Sequence, residues 1–130
     1  MKTLQQVLYV EDDEDIQTVA QMSLEMVGGL TLRTCNSGQD ALLAAAQFEP
    51  DLILLDVMMP GMDGPMTLKQ LRKLPHLANT PVIFMTAKVQ TAEVAHYRTL
   101  GALGVIAKPF DPMQLAQQVR QLWDQGQGQG

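Results

Sequence analysis

Cysteine is almost absent: Cys35 stands alone, so no intrachain disulfide is available and the fold must rest on a packed core, as suits a reducing compartment. Long apolar runs are missing as well. Nothing in the chain approaches the roughly 20 residues that a membrane-spanning helix needs, and Met1-Lys2-Thr3-Leu4-Gln5-Gln6 lacks the apolar stretch of a secretory signal. A soluble, cytoplasmic protein without a membrane partner is expected. Basic residues are scarce too, nine Lys and Arg against fourteen Asp and Glu, and they are scattered. At a net charge of −5 the chain offers no clustered basic face for direct nucleic-acid binding. What remains, 130 residues with 46% apolar and 18% charged content, suits one ordinary globular domain.

Short apolar runs alternate with longer segments of helical period. The runs are 7–10, 30–35, 52–55, 82–85 and 105–107. After the first, Ile16, Val19, Ala20, Leu24 and Val27 recur at helical spacing, and Gly28-Gly29 offers a stop. Ser37 is placed to cap a second helix with Asp40 three residues on, and Ala41, Leu42 and Ala45 form its apolar stripe. Asp63 begins a third, with Pro65 in the first turn; the Asp63 side chain should accept from the Met66 amide, since Pro65 has none to give. A fourth covers about 91–100, and a fifth about 112–123 with Leu115, Val119 and Leu122 inward.

Five strand–helix repeats with nearly continuous apolar middle strands predict an α/β fold, a parallel sheet covered by helices on both faces. Right-handed crossovers leave few topologies. The order 2-1-3-4-5 fits best, because the second run is the least apolar and tolerates an edge. A ligand in such a doubly wound sheet sits beyond the carboxyl ends of the strands, at the switch between the first and third. The segment 124–130 is a Gln/Gly repeat, expected to be a flexible tail or truncated linker after a domain spanning 4–123.

At that switch stand Glu11 and Asp12, ending the first run, and Asp56, ending the third. Carboxylates on neighbouring strands repel unless one protonates or a cation intervenes. A hard divalent ion with oxygen ligands, Mg²⁺ among them, is the natural remedy. Asp13, Glu14 and Asp15 have a simpler explanation, since acids gather at helix N-termini. The fourth run ends in Thr86-Ala87 and the fifth in Lys108-Pro109. A hydroxyl and an ammonium at the same rim suit the oxygens of a phosphoryl group.

Together, Glu11-Asp12, Asp56-Val57-Met58-Met59-Pro60-Gly61-Met62-Asp63-Gly64, Thr86-Ala87 and Lys108-Pro109-Phe110 resemble the receiver domain of two-component response regulators, over about 4–123. The resemblance implies a flavodoxin-like fold with five strands and five helices. It implies a signalling phosphoacceptor in a phosphorelay rather than a turnover enzyme. Asp56 is then the nucleophile toward phosphohistidine on a sensor histidine kinase or phosphotransfer protein. Asp12, Asp56 and the Met58 main-chain carbonyl hold Mg²⁺, with Glu11 acting through a metal-bound water. Lys108 and Thr86 bind phosphoryl oxygens, Pro60 and Gly61 shape the loop, and the Lys108–Pro109 bond is cis. A downstream protein partner or effector domain receives the signal.

Two departures bear on output. The family often has Tyr or Phe three residues before the Lys of the fifth strand, where this chain has Val105. Family members that regulate transcription usually carry an acidic pair just before that strand, where this chain has Leu103-Gly104. Leu103 either packs against the fourth helix or joins Val105 in an exposed apolar docking patch. Among other readings, a haloacid-dehalogenase-like phosphatase is disfavoured because nothing acidic stands two residues after Asp56. A receiver that works without phosphorylation usually lacks one of the key residues, and all are present here. Methionine-based soft-metal binding has little support, and His76 and His96 read as surface residues.

Overall fold

The computed structural model describes residues 3–128. Five strands, β1 (Gln6–Val10), β2 (Thr31–Cys35), β3 (Leu52–Asp56), β4 (Val82–Thr86) and β5 (Ala102–Ala107), alternate with α1 (Glu14–Met22), α2 (Gly38–Ala45), α3 (Gly64–Leu71), α4 (Thr91–Thr99) and α5 (Leu115–Gly128). The strands form one parallel sheet in the order β2-β1-β3-β4-β5. The expected switch between β1 and β3 is thereby present, with Val10 beside Leu55 in the register.

Burial explains the order. Every residue of β3 and β4 is buried, while β2 exposes Thr31 and Arg33. A strand covered on both faces must be apolar throughout, and an edge strand need not be. One face of the sheet packs Leu8, Val10, Ile53, Leu55 and Phe84 against α2, α3 and α4. The other packs Tyr9, Leu54, Ile83 and Met85 against α1 and α5, through Ala20, Leu115, Val119 and Trp123. Each fully buried aliphatic side chain contributes on the order of 1.5–3 kcal/mol.

Local capping starts the helices where the sequence places them. Ser37 Oγ accepts from the Asp40 amide at 3.0 Å and Asp63 Oδ1 from the Met66 amide at 2.9 Å. Asp13 Oδ1 accepts from Asp15 at 2.9 Å and Ile16 at 3.1 Å, which accounts for the middle of the acidic run.

Four expectations need correction. Helix α1 ends at Met22 and continues as a π-helical turn, Ser23–Val27. Ala20 and Leu24 are buried, while Val19, ahead of the turn, and Val27, at its end, are exposed. Strand β5 begins at Ala102 instead of Val105, because its register slips: Val82 pairs with Ala102 but Ile83 with Gly104. Leu103, the extra residue, is part-buried on the α1/α5 side of the sheet, so it neither packs on α4 nor joins an exposed patch. A Cβ on Gly126 would come within 2.6 Å of Leu103 Cδ2, which places α5 directly over it. Helix α5 itself starts at Leu115, after a turn in which the Asp111 carboxylate accepts from the Met113 amide at 2.8 Å. It also runs past Trp123 to Gly128, so residues 124–128 extend the helix instead of leaving it; Gln129 and Gly130, the end of the expected tail, lie outside the described residues.

Candidate functional site

The carboxyl ends of β1, β3, β4 and β5 bring the candidate residues to one rim. Glu11 follows β1 directly, and its amide donates to Cys35 O at 3.1 Å, holding it to the end of β2. Asp56 closes β3 and pairs in register with Met85. One oxygen from each of Glu11, Asp12 and Asp56 lies within 4.8 Å of the others. Glu11 is 0% exposed and Asp56 2%, whereas Asp12 is exposed. Two buried carboxylates and a third open to water make an all-oxygen donor set with room for water ligands, which fits Mg²⁺ better than a soft metal.

Lys108 completes the cluster. Its Nζ donates to Glu11 Oε1 at 2.8 Å and to Asp56 Oδ1 at 3.1 Å. Burial alone would lower this ammonium, but the Glu11 and Asp56 contacts outweigh it and raise it above the usual lysine value. Glu11 is pushed up to about 7, chiefly by burial, with Asp56 adding to the rise and Lys108 opposing it. The Lys108–Pro109 peptide is cis, as the resemblance implied.

Thr86, 2% exposed, ends β4 one residue beyond the partner of Asp56, and its Oγ1 accepts from the Lys88 amide at 3.1 Å. Met58 follows β3 and is 68% exposed. Gly61 takes φ +80°, a left-handed conformation that lets the loop turn back. Gly64 then brings α3 against β3: a Cβ there would stand 2.6 Å from Asp56 O and 2.9 Å from Val57 Cα. His76 and His96 are exposed, and a His76 ring nitrogen bonds Ala45 O at 2.7 Å, away from the site.

Two features escaped the sequence. Gln17 Nε2 donates to Glu11 O at 3.1 Å and Asn36 Oδ1 at 2.8 Å, tying α1 to the rim. Tyr9, one pleat beneath Glu11, is fully buried. Neither residue type carries a signal at its position, since a glutamine on a helix and a tyrosine in a strand are commonplace.

Comparison with known proteins agrees with this geometry. Residues 7–120 match the response regulator receiver domain. The alkaline phosphatase synthesis transcriptional regulatory protein PhoP of Bacillus subtilis is 37% identical over 114 residues, 88% of this chain and 46% of its own length. The DNA-binding response regulator MtrA of Mycobacterium bovis is 35% identical over 121 residues, 92% of this chain and 51% of its own. The chain thus spans about half the length of these curated relatives. Among solved structures, chemotaxis protein CheY4 of Vibrio cholerae superposes with a TM-score of 0.83 at 28% identity, covering 92% of this chain and 99% of that one. With its sheet order, its rim of carboxylates and these relatives, the chain belongs to the response regulator receiver domain family, the receiving module of two-component phosphorelay signalling.

Proposed function

We propose that Asp56 accepts a phosphoryl group from phosphohistidine on a sensor histidine kinase or phosphotransfer protein, and that the resulting change controls a downstream partner or effector domain. One observation carries this reading. The buried Asp56 carboxylate shares a single ammonium, Lys108, with Glu11, inside a cluster of oxygen ligands at the end of the sheet.

In the reaction an Asp56 carboxylate oxygen attacks phosphorus, and the P–N bond to the donor imidazole breaks with its electron pair going to nitrogen. The donor nitrogen takes up a proton, and the product is an aspartyl phosphate. Lys108 Nζ exchanges its contacts with Asp56 and Glu11 for one to a phosphoryl oxygen, and the Thr86 hydroxyl bonds another. Asp12, Asp56 and the Met58 main-chain carbonyl are the residues for Mg²⁺, with Glu11 acting through a water. When bound, the metal neutralises charge on the transferring phosphoryl oxygens. The protein supplies positioning and electrostatics. The chain acts as a phosphoacceptor that assists its own labelling and slow dephosphorylation, without a substrate to turn over.

Acetyl phosphate or phosphoramidate with Mg²⁺ tests the assignment. One phosphoryl group should add by intact mass, and Asp56→Asn or EDTA should abolish it. Full labelling of Asp56→Asn would show that another residue is the acceptor.

A further inference from the structure

Tyr9 is 0% exposed, yet its hydroxyl meets no hydrogen-bond partner among the described residues. Buried hydroxyls are seldom left so, because the group has given up water for nothing. The two other such atoms, Thr34 Oγ1 and Glu93 Oε2, belong to residues that are only partly buried.

Position singles Tyr9 out. It stands two residues before Glu11, on the same face of β1, and pairs across with Leu54, which stands two before Asp56. Ile106, two before Lys108, packs in the same cluster. Tyr9 and Leu54 therefore form a row one pleat beneath Glu11 and Asp56.

Glu11, meanwhile, depends on Lys108. Its carboxylate takes a 2.8 Å bond from Lys108 Nζ and a longer one, 3.3 Å, from the Asp13 amide. When Lys108 turns to a phosphoryl oxygen, Glu11 is left buried without its charged partner, the situation in which a lost ion pair is most costly. We infer that Tyr9 is a positioning residue whose hydroxyl replaces Lys108 as a donor to Glu11, directly or through one ordered water, when the phosphoryl group draws Lys108 away. This rests on the assignment of Lys108 to a phosphoryl oxygen made above. In the resting protein the hydroxyl is a donor in reserve; in the phosphorylated one it holds Glu11 in place.

Beryllofluoride, a phosphoryl mimic, tests this with ¹⁹F NMR of the bound species at saturating Mg²⁺. Tyr9→Phe removes one oxygen and should weaken beryllofluoride about fivefold to thirtyfold, the range of one buried hydrogen bond. Mg²⁺ affinity without beryllofluoride, where Lys108 still serves Glu11, should change by less than about twofold, as for uncoupled groups. In a Glu11→Ala background, which leaves no acceptor there, the Tyr9→Phe effect should vanish. Wild-type protein carrying ¹³Cζ-tyrosine supplies a readout that needs no variant to fold: with two tyrosines, Tyr9 and Tyr97, one resonance should shift on beryllofluoride binding, and Tyr9→Phe identifies it where that variant folds. Equal beryllofluoride affinity in wild type and Tyr9→Phe, an effect that persists in Glu11→Ala, or tyrosine resonances that both stay still would each overturn the inference. Failure of the phosphoacceptor reading looks different: wild-type protein then neither binds beryllofluoride nor labels at Asp56, and the inference falls with it.

Discussion

Lys108 and Glu11 are 97 residues apart in the chain and 2.8 Å apart in the fold, and the same ammonium reaches Asp56 at 3.1 Å. The cation proposed to bind the phosphoryl group is therefore already occupied in restraining two buried carboxylates. On that proposal, arrival of the phosphoryl group is an exchange of partners at Lys108, and the variants below separate its two tasks.

Lys108→Ala should slow labelling by acetyl phosphate roughly 10²–10³-fold, as the loss of one preorganised charged donor does. Mg²⁺ binding should be retained or tightened, because Glu11 and Asp56 lose their competing cation. Titration with Mg²⁺ in parallel with Asp12→Ala is the check. An equal loss of Mg²⁺ affinity in both variants would refute the division of roles.

Acidity should act through Glu11. Burial, aided by Asp56, pushes this carboxyl up to about 7 in the metal-free protein. A divalent cation favours the ionised form, so binding releases a proton. Apparent Mg²⁺ affinity should fall as pH drops through this value and level off above it. Glu11→Gln should flatten that step, as Mg²⁺ titrations across the range would show.

Gly64→Ala puts a methyl 2.6 Å from Asp56 O, against backbone that cannot rotate away. The N-terminus of α3 must retreat from β3, at a cost of about 1–3 kcal/mol. Labelling of Asp56 should fall along with stability in urea titrations. Gly61→Ala meets open space and faces only the penalty of its positive φ, about 1–2 kcal/mol. Its labelling should decline less than that of Gly64→Ala.

Leu103→Ala removes a part-buried side chain beneath α5, so it should act on stability. A loss of about 1–2 kcal/mol, a fraction of full aliphatic burial, is expected in thermal unfolding. An unchanged stability would mean that α5 does not cover Leu103.

Much of this was legible beforehand because it depends on local rules. The caps at Ser37 and Asp63 need only a side chain and an amide three residues on, and both form as read. The sheet order follows from which runs are apolar throughout. The site residues declare themselves by standing at strand ends, and Glu11, Asp12, Asp56 and Lys108 do converge. What was missed depends on contacts between distant segments. Ser23 Oγ donates to Pro112 O and an Arg120 guanidinium nitrogen to Gly28 O, so the π-helical turn is held by residues some ninety positions away. A Cβ at Gly104 would stand 2.7 Å from Leu122 Cδ2, just as one at Gly126 would meet Leu103, so the end of α5 and the start of β5 explain each other. A Gln/Gly repeat taken alone carries no trace of that.

The sheet order also governs when the protein becomes competent. Strand β5, the last made, lies at the far edge beside β4, and it alone carries Lys108 to the rim. Without β5, Glu11, Asp12 and Asp56 would stand together with no ammonium to balance them. Those carboxylates then repel one another until a proton or a cation intervenes. Completion of the sheet and completion of the site are therefore one event.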